Sequence, residues 1–391
     1  MRSDAFRLDV NGVWRRPIAL AGEQVAGLQS TLEALGYLPR GPVDGIFGYR
    51  TLAAVRLFQE HTRTLGGRPE LGQPDGIVGP KTRGALQAAL ADNARCRWTV
   101  GGRRADAPWL AVLEQAAQDY AADYRQMLPA LFNEDSDTLP PEHWQTGRAP
   151  VHVIGIRRTA WAASLDQAGR RLNNDVFVVI GNGRVMRCFG STDPNPRMST
   201  HPGGIPFLCK GQHLYRFGFH RLANRGEKCY RALRPAGRGV RVVRDSDGDK
   251  RLSAGDRLDP APNPTINLHW SGRGSSNWSA GCQVIGGAVY LDHADNTVDC
   301  WEHASPGYAG LGSAGRGAYE VMLSWITVCS PDVTTSGRIP YSLIEEADLQ
   351  RLAPDLHAET VGAFAAAART VASHDPGLLR LIRQRAPTLL A

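Results

Sequence analysis

The chain has 391 residues, enough for two or three domains that each bury a core. Hydrophobic residues make up 42% and charged residues 21%, the balance of an ordinary globular protein, and no apolar run nears the ~18 residues that span a bilayer. The 45 Lys and Arg against 38 Asp and Glu leave a charge of +7, which suits any polyanion; the arginines are scattered rather than set among aromatics, which argues against nucleic acid.

Residues 1–20 read as an N-terminal arm, with charges and Trp14 where a signal peptide needs an unbroken apolar stretch, so no export signal is visible. Next, Leu28, Leu32 and Leu35 recur at helical spacing and Gly36 ends that helix. Asp44-Gly45-Ile46 leads to Thr51, which opens a second helix with Leu52, Val55 and Phe58 on one face. A second copy stands 31 residues on, where Asp75-Gly76-Ile77 leads to Thr82 and a third helix carrying Leu86 and Leu90. In each copy Asp caps the turn, the glycines adopt angles that other residues avoid, and an apolar residue plugs the core.

Two such turns between three short helices, over residues 21–95, resemble the peptidoglycan-binding domain found beside many wall hydrolases. The resemblance implies peptidoglycan as partner and a binding groove near Asp44, Gly45, Asp75 and Gly76. Tethering of this kind raises the substrate concentration at a neighbouring catalytic domain.

Residues 96–145 read as a helical connector, with Trp109, Leu110, Val112 and Leu113 near its start, Met127, Leu128, Leu131 and Phe132 near its end, and Asn133–Pro141 breaking it. From 146 to 335 the texture is β-rich, with runs at Val151–Ile156, Val176–Ile180, Val185–Phe189, His213–Phe219 and Val240–Val243. Asn182-Gly183 marks a hairpin. His201, His213 and His220 fall in this domain without a recognisable spacing and read as structural or surface residues.

The segment 245–256 places Asp245, Asp247, Asp249 and Asp256 at positions 1, 3, 5 and 12 of an EF-hand-type loop, with Arg251 offering its carbonyl at position 7. Calcium is the expected cofactor, in a bracing role, and no organic cofactor is expected.

Thr265–Ile285 then carries the chemistry: a short apolar strand ending on His269, a Ser/Gly/Asn loop, and Ser279-Ala280-Gly281-Cys282 running into Val284 and Ile285. A small polar loop between two strand-like ends can bring a thiol and an imidazole to one sheet edge, the minimum equipment of a cysteine nucleophile. Gly281 would let substrate approach oxyanion-holding N–H groups. Trp270 and Trp278 flank the pair and could bind substrate or belong to the core.

His, a gap, then Ser-x-Gly-Cys resembles the active-site signature of the L,D-transpeptidase catalytic domain. The resemblance implies His269 as base, Cys282 as nucleophile and Ser279 and Gly281 as motif residues, acting on stem peptides at L,D bonds through an acyl-enzyme. Ala280 replaces the family's second His and the gap is shorter, which leaves transpeptidase, carboxypeptidase and endopeptidase outcomes open. The alternative is a non-catalytic wall-binding protein.

Of seven cysteines, six fall between Cys188 and Cys329, which permits three disulfides with Cys282 left free and points to an extracytoplasmic, oxidising location. Without a visible signal, the expected partners widen to a secretion apparatus or an immunity protein, as for an exported antibacterial or lysis protein. Residues 336–391 read as a helical tail broken at Pro354 and Pro376. The expected class is an α+β multidomain protein: a three-helix bundle, a β-rich catalytic domain and this tail.

Overall fold

The computed structural model describes residues 22–39, 43–96, 105–123, 135–147, 150–158, 173–195, 203–221, 229–249, 252, 255–274, 277–308, 315–334, 336–385 and 387. The expected N-terminal arm, the Met127–Phe132 end of the connector, His201 and Arg251 lie outside them. The chain divides into two compact units, residues 1–104 with 320–337, and residues 105–319 with 338–391.

The first unit contains α1 (Gly22–Ala34), α2 (Tyr49–Thr64) and α3 (Pro80–Ala91). Val25, Leu32, Val55, Leu57, Phe58, Ala85 and Leu86 fill its core, whereas Leu90, also on the third helix, is exposed. Each Asp-Gly-Ile turn is locked by one glutamine. Gln29 Nε2 donates to Asp44 Oδ1 (2.8 Å), Ile46 O and Thr51 Oγ1, while its Oε1 accepts the Gly45 N–H. Gln59 repeats the set on Asp75 (3.0 Å), Ile77, Thr82 and Gly76. Gly45 and Gly76 have φ of 66° and 79°, and a Cβ on Gly76 would lie 2.3 Å from Leu52 Cδ1. Asp44, Gly45, Asp75 and Gly76 therefore build the turns, each aspartate through its Oδ1. The exposed apolar surface at the first turn is Val43 and Ile46. Replacing buried Gln59 by leucine strands the Gly76 N–H and is expected to destabilise this unit by roughly 2–3 kcal/mol. Thermal melts followed by circular dichroism, with exposed Gln87→Leu as control, check this.

Arg50 donates to the carbonyls of Ser330 and Pro331, and Arg56 pairs with Glu320 at 3.5 Å, so a segment from far along the chain completes the first unit. The boundary expected at residue 95 missed this segment because nothing in its local pattern marks it as part of a helical domain.

The second unit opens with α4 (Ala107–Asp123) and continues through twelve strands: β1 (Thr138–Leu139), β2 (Val151–Arg157), β3 (Asp175–Gly181), β4 (Arg184–Ser191), β5 (Pro206–Leu208), β6 (Gly211–His220), β7 (Tyr230–Pro235), β8 (Val242–Arg244), β9 (Arg257–Leu258), β10 (Leu268–Trp270), β11 (Gln283–Leu291) and β12 (Thr297–Asp299). After the helix α5 (Ala318–Cys329), whose residues from Glu320 onward belong to the first unit, come β13 (Ile339–Glu345), α6 (Glu346–Leu352), α7 (Pro354–His374) and α8 (Pro376–Arg385).

The main sheet runs β6-β13-β2-β3-β4-β11-β10-β7, and β7 pairs back onto β6, closing an eight-stranded barrel. Among the described strands of this sheet, β13–β2 and β10–β11 are parallel pairs and the others antiparallel. The β3–β4 hairpin turns on Asn182 and Gly183, as expected from the pair. Phe177, Tyr215 and Tyr341 meet inside the barrel, where Tyr341 stacks on Phe177 and meets Tyr215 edge to face. Outside, Ile154, Ile156, Val176, Val178, Phe189 and Ile344 pack against α4, α6, α7 and α8. Strands β5, β8 and β9 form a separate small sheet.

Two expected boundaries are corrected here. The connector's α4 belongs to the layer covering the barrel, and β1 pairs with β6. The expected tail begins with β13, a central strand between β6 and β2. Pro340 hid it, because proline is normally excluded from strand interiors. Among the described residues no helix is long and apolar enough to cross a membrane.

None of the seven cysteines is bridged to another, which corrects the expected three disulfides. Cys188 lies on the inward face of β4 opposite Phe177, whereas Cys96 and Cys329 belong to the first unit, so clustering along the chain does not become clustering in space.

Candidate active site

Pairing register decides which side chains share a face. Leu268 pairs with Gln283 on one side and Leu233 on the other, and Leu233 pairs with Phe217. This row points into the barrel, where Gln283 Oε1 accepts from Tyr341. Strand alternation turns the neighbouring residues outward: Arg216, Gly218 and His220 of β6, Ala232 and Arg234 of β7, Asn267 and His269 along β10, and Cys282 and Val284 along β11.

Cys282 and His269 therefore share the outer face of two parallel neighbours, as diagonal neighbours one alternation apart. They form no hydrogen bond with each other. The half-buried Cys282 thiol donates to Thr265 O (3.3 Å), and its sulfur accepts the Asn267 N–H (3.3 Å). Burial pushes the thiol above its usual range, while the Asn267 N–H, the Ser279 hydroxyl, Arg234 and Arg221 pull it down less strongly. The thiol is protonated at neutral pH and needs a base.

His269 is buried at 5% exposure, and burial pushes its imidazole down to about 4, with the Trp270 carbonyl opposing and Arg221 assisting. Its Nδ1 lies 2.8 Å from Trp270 O and 3.2 Å from Tyr230 Oη. The carbonyl accepts only, so Nδ1 carries the proton and Nε2 presents a lone pair. Nε2 makes no hydrogen bond among the described residues, the state required of a general base. With the thiol pushed above its usual range and the imidazole pushed down to about 4, proton transfer between them is uphill at rest, so the pair rests neutral.

His220 stacks on His269 with ring centres 3.8 Å apart, across the small Gly218 and Ala232. Its Nδ1 lies 3.2 Å from Asn267 Nδ2, and burial with the neighbouring His269, Arg221 and Arg234 pushes it down to about 3. Two neutral imidazoles thus lie side by side on the outer face that carries the thiol. The other assigned histidine, His213, is structural as expected, held between Thr138 Oγ1 and Cys209 O.

Gly281 does not serve as expected. Its N–H donates to Ser279 Oγ (3.0 Å), and a Cβ there would meet Pro206 Cγ at 2.7 Å, so close packing and not substrate access requires glycine. The Cys282 N–H, by contrast, carries no hydrogen bond among the described residues and is the donor left for an oxyanion. Ser279 is buried and shapes this turn while its hydroxyl touches the sulfur. Trp270 is fully buried, edge-on to Trp278, Tyr230 and Tyr308, and belongs to the core; only Trp278 is part-exposed.

The loop 245–256 joins β8 to β9. Carboxylate oxygens of Asp245, Asp247 and Asp249 lie within 4.8 Å of one another, so three of the expected ligands converge. Asp256 folds back, its Oδ1 accepting the Ser246 N–H (2.9 Å).

The site residues missed in the sequence are Asn267, His220, Tyr230, Arg216 and Arg234. A signal existed in Tyr215-Arg216-Phe217-Gly218-Phe219-His220, whose strict alternation separates an apolar inner face from a polar outer one.

Residues 21–86 match the family of the peptidoglycan binding domain. The match spans both Asp-Gly-Ile turns and reaches into α3. Peptidoglycan is thus the partner of this wall-binding domain, which points to cell-wall association for the chain. No curated protein and no solved structure matches the chain.

Proposed function

We propose that the barrel is a cysteine acyl-transfer enzyme that acts on peptidoglycan stem peptides, brought to its substrate by the wall-binding domain. The observation that carries this reading is that Cys282 and His269 are diagonal neighbours on one outer face, with Nε2 of His269 unprotonated and the Cys282 N–H without a hydrogen bond among the described residues. His269 Nε2 takes the thiol proton as sulfur bonds to the carbonyl carbon of an L,D bond, and the Cys282 N–H donates to the oxyanion. Collapse breaks the C–N bond, and the imidazolium returns the proton to the leaving amine. An amine or water then attacks the thioester and regenerates the thiol, giving transpeptidation or hydrolysis respectively. Cell-wall action would place this chemistry outside the cytoplasm, with an exported antibacterial or lysis protein as the form of it that we propose, on the ground of the wall-binding domain.

The test is the acyl-enzyme itself. Stem peptides mixed with the protein and quenched in acid should add one acyl mass, mapped by peptide mass spectrometry to Cys282; an adduct elsewhere, or none under conditions where product forms, would reject the mechanism.

We further propose calcium in the 245–256 loop. Three converging hard oxygen donors fit that ion, with Asp245, Asp247 and Asp249 holding it and its charge bracing the β8–β9 connection. Calcium is expected to raise the melting temperature by a few degrees over chelator-treated protein, and Asp247→Asn with Asp249→Asn to remove the difference. Identical melts with and without calcium would dismiss the ion.

A further inference from the structure

Arg216 and Arg234 stand on the outer face that holds Cys282, directly opposite each other across the β6–β7 pair. In the next register step Arg234 faces Asn267, which faces Cys282, so one row reads Arg216, Arg234, Asn267, Cys282 across four strands. Arg221 follows His220 at the end of β6, its guanidinium 5.6 Å over the Tyr308 ring. Among the described residues none of these three arginines forms a hydrogen bond or an ion pair, and Arg216 Nε is buried without a partner. Like charges directly opposite on a sheet repel, and a buried guanidinium nitrogen without an acceptor is costly, so the pair is built for an anion that lies across it.

A second observation points the same way. Asn267 is only 7% exposed, and its Oδ1 is buried with no partner, between Arg234 and Cys282. That oxygen is an acceptor placed for an N–H donor next to the nucleophile. Neighbouring strands lie ~4.8 Å apart, which sets the Arg234 and Cys282 backbones about 10 Å apart. In a peptide the terminal carboxylate carbon lies within about 4 Å of the preceding carbonyl carbon, and the long arginine side chain spans the rest.

Resting on the acyl-transfer reading, we propose that Arg234 and Arg216 are specificity-determining residues for a free carboxylate on the residue leaving the scissile bond, with Asn267 Oδ1 accepting the N–H of that bond. When the C–N bond breaks, the thiol proton goes to the departing nitrogen and the product leaves as an amino acid whose carboxylate the arginines held. The enzyme then acts at the free carboxyl end of a stem peptide and rejects bonds whose following residue is amidated or extended.

The probe is a synthetic peptide ending in an L-residue followed by D-alanine, prepared as free acid and as carboxamide. Calorimetric binding to Cys282→Ala protein is expected to favour the acid roughly 10- to 100-fold. Arg234→Gln or Arg216→Gln in that background should bring the two within about 3-fold, and Arg234→Lys should keep part of the preference. Turnover of both peptides by the wild type, read by mass spectrometry, should show the same selectivity. Equal binding of acid and carboxamide to Cys282→Ala, or a preference that survives both glutamine variants, overturns the carboxylate assignment whatever turnover shows. Selective binding without turnover of either peptide overturns the acyl-transfer reading and leaves the anion site standing.

Discussion

Replacing Cys282 by alanine is expected to abolish release of products from purified peptidoglycan, a loss of at least about 10⁴-fold, while binding to intact wall is unchanged. The magnitude follows from the role, since removing a covalent nucleophile leaves only binding and oxyanion contacts. The fold should tolerate the change: the thiol is half-buried, and its contacts with the Asn267 N–H and Thr265 O are weak sulfur hydrogen bonds at a strand end. Cys282→Ser should be nearly as inactive, because an imidazole pushed down to about 4 is too weak a base for a hydroxyl. Mass spectrometry of the soluble products decides the matter, and equal product from wild type and Cys282→Ala would end the catalytic assignment.

The second large effect concerns His269. Asparagine there keeps a donor near Trp270 O but cannot take a proton, so His269→Asn is expected to lower kcat/KM by roughly 10²–10⁴-fold. The pH profile gives the sharper reading. The imidazole is a base only above its own pKa, so wild-type kcat/KM should stay level from neutral pH down to about 5 and fall as His269 protonates near 4. An exposed histidine would place that limb near 6.5. His220, pushed down to about 3, titrates later and cannot produce the first fall. In His269→Asn the limb near 4 should vanish, and the remaining rate should climb with alkali as thiolate forms unaided. An unchanged limb in the variant would remove His269 from the reaction.

How far the sequence reached depended on whether a feature is local. The Asp-Gly-Ile turns were legible because each is a short motif, although Gln29 and Gln59, which lock them from 15 to 16 residues away, were not. Strands β2, β3, β4 and β6 announced themselves as β-branched and aromatic runs, and Asn182-Gly183 named its hairpin. Cys282 and His269 could be paired because a single loop joins them. Asn267, Arg216, Arg234 and His220 could not, because they meet by lateral register among four strands whose residues lie up to 66 positions apart in the chain, from Arg216 to Cys282. Register is a property of pairing, and single-sequence periodicity shows only which side of its own strand a residue takes. The assignments of Trp270 and Gly281 as substrate-facing failed for the same reason: adjacency along the chain said nothing about Tyr308 and Pro206, which cover them.

Strand β13 closes the barrel, yet it is the last of the thirteen to leave the ribosome. Until Ile339–Glu345 has been synthesised, β2 and β6 each present an unpaired edge, the kind of surface that seeds association between nascent chains. The polypeptide must therefore stay shielded for most of its translation, and any truncation before Glu345 removes the seam that holds the wall bearing Cys282 together.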